Sequence, residues 1–226
     1  ESGRILMEKN PDMPLAPAST MKVVTTATAL ATLKPDFTFA TQVLADGVRG
    51  SSVRNIFLKG FGDPYLVSEQ LFVLTRNLKD KGLEEIRGNI VVDDSYFSPG
   101  KPLDENEKLG YRAYHAPYSA LSLNFNAIKV LVTPASRSGR PAHVALDPVS
   151  EYAHLEGRVR TVKGQKSADI EITKVPQPDG REVIQVRGTI GALAPPKGRY
   201  VNVDSPPLYT GEVFKEFLLR DGIRVT

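Results

Sequence analysis

The sequence predicts a mixed α/β (α+β) fold, and three patterns in its 226 residues indicate this. Apolar side chains recur at helical spacing after Ser19, which predicts a long helix. Strand, helix and strand patterns alternate over residues 53–93, which is typical of an α/β unit. From His143 to Ile190 the pattern becomes all-β, so a small β subdomain is expected there. With 41% hydrophobic residues the chain can bury a substantial core.

The first third of the chain predicts short strands around one helix. A strand is expected over 3–9, followed by a turn at 10–12. The helix begins at Ser19 and ends at Lys34-Pro35, because a residue before proline avoids helical backbone angles. Strands are expected over 39–44 and 53–59, joined through a turn at Asp46-Gly47.

The middle third predicts a second helix between two strands. The glycines of the loop at 60–64 are not followed by Gly-Lys-Ser/Thr, so we interpret this loop as a structural turn and not as a phosphate site. Ser68 is expected to cap a helix that ends before Gly82. The strand at 89–93 then ends in Asp93-Asp94. Residues 98–115 predict a surface loop.

The last third predicts β structure followed by one helix. A strand is expected over 126–132, and a hairpin turn at 178–180 joins strands near 170–175 and 183–189. Ser205 is expected to cap a final helix with Pro206-Pro207 in its first turn and Gly222 at its end.

Composition excludes several kinds of site. The net charge is +3 with charges of mixed sign and no long basic run, so nucleic-acid binding is not indicated. Cysteine is absent, which excludes disulfides and thiolate–metal sites. His115, His143 and His154 lack the spacing of metal ligands, so neither a metal nor another cofactor is expected. No apolar run is long enough to span a membrane.

Both termini suggest a trimmed chain. The sequence opens on Glu1 instead of Met, and no signal peptide is present in it. Residues 223–226 look like the beginning of a strand. We therefore expect a truncated form.

Ser19-Thr20-Met21-Lys22 is the candidate catalytic motif. The two side chains lie one helical turn apart on the same face. A serine hydroxyl becomes a good nucleophile when a neighbouring base takes its proton. A lysine serves as that base when burial against an apolar stripe lowers its pKa.

The same tetrapeptide also has a purely structural interpretation. Serine is a favoured helix cap and lysine a good helix former, and Ser-x-x-Lys occurs by chance about once in a chain of this size. It occurs again at Ser98-Pro99-Gly100-Lys101, where proline and glycine predict a turn. The motif alone leaves both interpretations open.

The order of several further motifs resembles the low-molecular-mass class C penicillin-binding proteins, which are D-alanyl-D-alanine carboxypeptidases and endopeptidases of bacterial peptidoglycan. The resemblance covers essentially the whole chain. It is carried by Gly3-Arg4-Ile5-Leu6, Pro17-Ala18-Ser19-Thr20-Met21-Lys22, Gly60-Phe61-Gly62-Asp63-Pro64-Tyr65-Leu66, Gly88-Asn89-Ile90-Val91-Val92-Asp93-Asp94-Ser95-Tyr96-Phe97, Tyr118-Ser119-Ala120-Leu121-Ser122-Leu123-Asn124-Phe125-Asn126 and Tyr209-Thr210-Gly211-Glu212-Val213.

The resemblance implies a division of the chain into domains. Residues 1–45 would begin a penicillin-binding transpeptidase-like domain, and residues 204–226 would resume it before the chain stops. The intervening 46–203 would be an inserted region, made of an α/β subdomain at 46–134 and a mainly β subdomain at 135–203.

The resemblance also implies a chemistry. Ser19 would attack the carbonyl of the penultimate D-alanine of a peptidoglycan stem peptide, with Lys22 as general base, and water would release the acyl-enzyme. β-Lactam antibiotics would acylate Ser19, and the enzyme would work in the periplasm or another extracytoplasmic space. Asp93 would recognise substrate, with Asp94 as an equal contender.

One departure from the family pattern affects the expected activity. The Ser-x-Asn and Lys-Thr-Gly motifs complete the cleft in penicillin-binding proteins. The chain has no Lys-Thr-Gly. Ser122-Leu123-Asn124 fits the other pattern but lies in the inserted region, where we expect Ser122 and Asn124 to pack or to cap a strand. An incomplete fragment with little turnover is therefore expected.

Two other functions remain open from the sequence. The first is a non-catalytic cell-wall binding or scaffolding protein that keeps the fold. The second is a β-lactamase, which the long insertion after the Ser19 helix disfavours.

Overall fold

The computed structural model of the protein describes residues 3–98, 111–164 and 166–226. It divides into two compact units, residues 1–38 and residues 39–226. Residues 99–110 of the expected surface loop lie outside the described residues. They include Pro99 to Lys101, which make up most of the second Ser-x-x-Lys motif. No helix among the described residues is long and apolar enough to cross a membrane.

The first unit consists of one helix and the segment that leads into it. A single 3₁₀ turn, Ala18–Thr20, runs directly into helix α1, Met21–Leu33. The helix ends at Lys34, whose φ of 72° lies outside the helical region, immediately before Pro35. The expected helix is therefore confirmed.

The strand expected over residues 3–9 is wrong. The described residues 3–9 contain no strand, because no other segment of the described chain pairs with them. A strand is defined by its ladder of hydrogen bonds to a neighbour, and an apolar pattern alone does not supply one. The turn that follows is confirmed, since the Met13 N–H donates to the Asn10 carbonyl at 3.1 Å.

Among its described residues, the second unit combines two α-helices with twelve strands, which form four three-stranded sheets. The elements in chain order are β1 Thr41–Asp46, β2 Ser52–Val53, β3 Asn55–Gly60, α2 Ser68–Asp80, β4 Glu85–Ile86, β5 Ile90–Asp93, β6 Ala127–Thr133, β7 His143–Asp147, β8 Ala153–Val162, β9 Ala168–Pro176, β10 Glu182–Gly191, β11 Lys197–Asn202, α3 Pro206–Arg220 and β12 Arg224–Val225.

The α/β unit expected over 53–93 is confirmed. Strands β3 and β5 run parallel with α2 as their crossover, and β1 pairs antiparallel with the other edge of β3. Short parallel strands β2, β4 and β12 form a second sheet, so residues 224–225 are a strand as the sequence predicts.

Helix α3 packs against α2 and β5, within the second unit. A Cβ added to Gly211 would lie 2.6 Å from Val92 Cγ1, so the glycine lets the helix approach the strand closely. Val213 and Phe214 on the same helix are fully buried, and Phe217 stacks edge-on with Phe72 of α2 at 6.1 Å. The domain division proposed for this chain stays a prediction.

The predicted cap position is confirmed for one helix and wrong for the other. Ser205 occupies the cap position of α3, although its side chain makes no capping hydrogen bond. Ser68 is the first helical residue of α2, and Val67 holds the cap position. Each helix ends just before a glycine with positive φ, Gly82 after α2 and Gly222 after α3, as expected.

The all-β stretch is also confirmed. Strands β9 and β10 form the predicted antiparallel hairpin, and β8 pairs parallel with the other edge of β10. Strand β6 lies between β11 and β7 in an antiparallel sheet. Their apolar faces join one core that includes the fully buried Tyr152 and Tyr209, whose rings lie 5.4 Å apart.

Candidate active site

The structure brings Ser19 and Lys22 together as the sequence predicts. Lys22 Nζ donates a hydrogen bond to Ser19 Oγ at 2.9 Å, across one turn at the start of the helix. Neither the 3₁₀ turn nor α1 has a side-chain capping hydrogen bond at its N-terminus, so Ser19 is not acting as a conventional helix cap. The geometry therefore fits a nucleophile with its proton acceptor better than it fits a structural cap.

A strained residue precedes Ser19. Ala18 has φ of 43°, a left-handed conformation that costs a residue with a Cβ about 1–2 kcal/mol. Two hydrogen bonds stabilise this turn, since both the N–H and the hydroxyl of Thr20 donate to the Pro17 carbonyl. Strain of this kind persists at sites where the backbone must present a side chain in one orientation.

The sequence leaves the burial of Lys22 open, and the structure leaves this side chain exposed. Lys22 and every residue of α1 are exposed, including the apolar Val23, Val24 and Leu30. The first unit by itself therefore does not bury Lys22 as a lysine base requires. The helix has an apolar stripe at the predicted spacing, and no residue of that helix is buried.

The Ser122-Leu123-Asn124 segment holds structure in the second unit, and Asn124 caps a helix, not the strand that the sequence predicts. Asn124 Oδ1 accepts from the Ser68 N–H at 2.9 Å, and Asn124 Nδ2 donates to Ser68 Oγ at 2.8 Å. Asn124 Nδ2 also lies 3.4 Å from the hydroxyl of the buried Tyr209. Asn124 thus caps α2 from a distant part of the chain and satisfies an N–H that has no partner within the helix.

Ser122 supports the same turn. Its hydroxyl donates to the Ser119 carbonyl at 3.0 Å and accepts from Asn126 Nδ2 at 3.0 Å. Asn126 Nδ2 also donates to the Pro117 carbonyl at 2.9 Å. These bonds account for both polar residues of the motif without a catalytic role.

Asp93 lies at the end of β5, where both of its carboxylate oxygens are hydrogen-bonded. Lys59 Nζ on the neighbouring strand lies 2.8 Å from Oδ2, and the N–H and hydroxyl of Ser95 donate to Oδ1 at 2.9 and 2.6 Å. Lys59, followed by Ser95, lowers the pKa of Asp93 to about 2. Asp94 accepts from the Ser119 hydroxyl at 3.1 Å. A substrate-binding role for either aspartate stays a prediction.

Sequence reasoning missed a buried charged cluster. Lys174 and Glu182 have side chains only 2% and 1% exposed, with Lys174 Nζ 3.2 Å from Glu182 Oε1 and 2.6 Å from Asp204 Oδ1. The Tyr152 hydroxyl donates to Glu182 Oε1 at 3.0 Å, while Oε2 has no partner among the described residues. Burial raises the pKa of Glu182.

A signal for this lysine was present in the sequence. Lys174 follows Ile170 and Ile172 at a spacing of two, so it belongs to the inward face of its strand. The histidines carry no such signal, and no cluster of three or more His, Asp or Glu side chains in the described ranges is arranged to hold a metal ion.

The whole sequence, residues 1–226, matches the D-Ala-D-Ala carboxypeptidase 3 (S13) family. It is 32% identical over 234 residues to the D-alanyl-D-alanine carboxypeptidase of Actinomadura sp. (strain R39), covering 99% of this chain and 43% of that protein. It is 25% identical over 228 residues to the D-alanyl-D-alanine carboxypeptidase DacB of Haemophilus influenzae, covering 97% of this chain and 46% of that protein. The chain thus spans less than half the length of these relatives.

Solved structures share the fold. Penicillin binding protein 4 (dacB) from Haemophilus influenzae superposes with a TM-score of 0.69 at 23% identity, over 93% of this chain and 48% of that one. The same protein complexed with a β-lactam gives a TM-score of 0.63 at 22% identity, over 93% and 45%. The resemblance to low-molecular-mass class C penicillin-binding proteins is confirmed: with a Ser-x-x-Lys pair in hydrogen-bonding contact and a family match along its entire length, this chain belongs to the D-Ala-D-Ala carboxypeptidase 3 (S13) family.

Proposed function

We propose that the protein is a serine-type D-Ala-D-Ala carboxypeptidase or endopeptidase of peptidoglycan, with Ser19 as nucleophile and Lys22 as general base. The observation that carries the proposal is the 2.9 Å contact between Lys22 Nζ and Ser19 Oγ, in a chain whose relatives are D-alanyl-D-alanine carboxypeptidases. The substrates would be stem peptides that end in D-Ala-D-Ala.

The reaction would proceed in two transfers. The neutral amine of Lys22 takes the proton of the Ser19 hydroxyl as Oγ attacks the carbonyl carbon of the penultimate D-alanine. The tetrahedral intermediate collapses, the C–N bond breaks, and the terminal D-alanine leaves with a proton. Water then attacks the ester carbonyl and releases the shortened peptide and free Ser19. The Ser19 N–H would donate to the oxygen on which negative charge develops.

β-Lactams would undergo the first transfer, acylation, but the second transfer, deacylation, would be slow. Their strained amide carbonyl would acylate Ser19, giving an ester that water releases slowly. A related protein has been crystallised with a β-lactam, which supports β-lactams as ligands here as well. The protein would act where peptidoglycan lies, in the periplasm or another extracytoplasmic space.

The 226 residues alone are expected to turn over slowly. The sequence contains no Lys-Thr-Gly, and Ser122 and Asn124 are engaged in holding a turn and a helix. The exposed side of α1 would also need a covering surface before Lys22 is desolvated. We propose that residues 1–45 and 204–226 belong to the catalytic domain and that the remaining residues of that domain are required for turnover.

The test is release of D-alanine from a pentapeptide ending in D-Ala-D-Ala, using a form extended to the length of the relatives. Ser19→Ala and Lys22→Met should each lower kcat/KM by about 10³-fold or more. Lys34→Met, at the other end of the same helix, is the matched control and should leave kcat/KM unchanged. Absence of D-alanine release from the extended form would favour a scaffolding role and overturn the proposal. Rapid release by the 226 residues alone would overturn the requirement for more of the domain.

A further inference from the structure

A cleft of about 550 Å³ opens in the second unit, and neither Ser19 nor Lys22 is among its lining residues. Its lining includes Tyr114, Phe125 and Tyr200, together with Lys129, Asp147 and Glu69. Its volume lies in the range typical of ligand pockets, which combine apolar surface with a few polar groups. Nothing in the reaction at Ser19 uses these side chains.

Three of the lining residues form one row across a sheet. Tyr200 of β11 lies opposite Lys129 of β6, and Lys129 lies opposite Asp147 of β7. Directly opposed residues in antiparallel strands project from the same face. The row therefore presents an aromatic ring, an ammonium and a carboxylate side by side, and within the described ranges neither Lys129 nor Asp147 forms an ion pair with a protein group.

Three aromatic rings stand exposed around the cleft. Tyr114, Phe125 and Tyr200 are 71%, 64% and 57% exposed. The Tyr114 hydroxyl accepts from Arg112 at 3.3 Å, and its ring lies 4.2 Å from that of His115. The Phe125 ring packs edge-on against Tyr65 at 6.2 Å. Two of the three rings are therefore held in place by side chains outside the cleft.

The backbone beneath Phe125 is strained. Asn124, Phe125 and Asn126 have φ of 49°, 56° and 55°, three left-handed residues in succession. Asparagine tolerates this conformation, but for a bulky side chain such as phenylalanine it is an outlier. The strain leaves an apolar ring in solvent at the edge of a cleft, which points to a ligand and not to core packing.

We propose that this cleft binds the glycan strand of peptidoglycan, a polymer of N-acetylated amino-sugar rings. The proposal rests on the proposed function, which makes peptidoglycan the substrate. The C–H face of a sugar ring is apolar and stacks on an exposed aromatic ring, as amphipathic aromatics allow. Sugar hydroxyl and acetamido groups both donate and accept hydrogen bonds, which suits the mixed donors and acceptors of Lys129, Asp147 and Glu69.

The charges of the cleft favour a neutral ligand over a charged one. The lining contains one ammonium group, of Lys129, and two carboxylates, of Asp147 and Glu69. Charges of both signs are therefore present, and the electrostatic potential in the cleft does not strongly favour a cation or an anion. The cleft would hold the strand while a stem peptide reaches the nucleophile.

The test is calorimetric titration of the 226-residue chain with a β-1,4-linked tetramer of N-acetylglucosamine, which contains no scissile D-alanine bond. We expect saturable binding that Tyr114→Ala and Tyr200→Ala each weaken about tenfold, a loss of about 1.4 kcal/mol. Tyr118→Ala is the matched control, because Tyr118 is 64% exposed and does not line the cleft, and it should bind as the unmodified chain does. All of these positions are exposed, and unchanged circular dichroism would verify that the variants fold.

Three results would overturn the proposal. The first is that the tetramer does not bind at millimolar concentration. The second is that Tyr118→Ala weakens tetramer binding as much as the cleft variants do. The third is that a free stem pentapeptide binds instead of the sugar, and that Tyr114→Ala and Tyr200→Ala abolish this peptide binding. Ser19→Ala separates this proposal from the catalytic one. It should abolish D-alanine release from the extended form and leave tetramer binding by the 226 residues intact.

Discussion

Replacing Asn124 by alanine should destabilise the second unit without affecting chemistry at Ser19. The substitution removes the hydrogen bond that Asn124 Oδ1 accepts from the Ser68 N–H. It also removes the bond that Asn124 Nδ2 donates to the Ser68 hydroxyl, and its longer bond to the Tyr209 hydroxyl. Loss of a capping side chain costs about 1 kcal/mol, and each further neutral hydrogen bond about 0.5–1.5 kcal/mol. The expected loss in free energy of unfolding is about 2–3 kcal/mol.

Asn124→Gly separates the hydrogen bonds from the backbone strain. Glycine removes the same side-chain bonds, but it adopts the φ of 49° at this position without a Cβ penalty. Asn124→Gly should therefore be about 1 kcal/mol more stable than Asn124→Ala.

The assay is urea denaturation followed by circular dichroism, with the denaturant slope compared to confirm that the folded states are alike. Ser19 acylation by penicillin in the extended form is the second measurement, and both Asn124 variants should retain it. A stability change below about 0.5 kcal/mol together with loss of acylation would refute the reasoning, because it would assign Asn124 to the catalytic Ser-x-Asn motif.

Three further predictions concern the second unit. Lys174→Met should lower the free energy of unfolding by about 3–5 kcal/mol, because Glu182 would stay buried without its partner. The double variant Lys174→Met/Glu182→Leu should regain most of that lost stability in the same urea assay. If the losses of the two single variants simply add in the double variant, the pairing is contradicted. Since the pKa of Asp93 falls from 3.8 to about 2 on folding, its ion pair should stabilise the protein above about pH 4 and lose that effect as pH falls towards 2. The ion pair should contribute about 1 kcal/mol or less at this partly exposed site. When stability is measured as a function of pH, this acid-dependent contribution should be absent from Asp93→Asn and present in Asp94→Asn. Gly211→Ala should destabilise by about 1–3 kcal/mol despite alanine's higher helix propensity, because its methyl group meets strand β5, and a thermal midpoint at or above that of the unmodified chain would contradict this.

Local patterns predicted the elements whose partners lie close by in sequence. The crossover helix between β3 and β5 and the hairpin of β9 and β10 each join neighbouring segments, so periodicity and turn residues were sufficient. The strand expected over residues 3–9 was wrong because a strand depends on a distant partner, which an apolar pattern does not identify.

The cap of α2 and the burial state of Lys22 could not be predicted for the same reason. The cap of α2 comes from Asn124, 56 residues beyond Ser68, and such a contact leaves no local signature. The Ser19–Lys22 contact was predictable because one helical turn sets it. Whether Lys22 is buried was not predictable, since this depends on the surface that covers α1.

The central claim is that Ser19 is the acylated nucleophile, and mass spectrometry of the extended form after incubation with a fluorescent penicillin tests it most directly. The account predicts a single adduct on the peptide that contains Ser19, absent from Ser19→Ala and reduced in Lys22→Met. An adduct that persists in Ser19→Ala, or an unlabelled protein with Ser19 intact, would contradict the account.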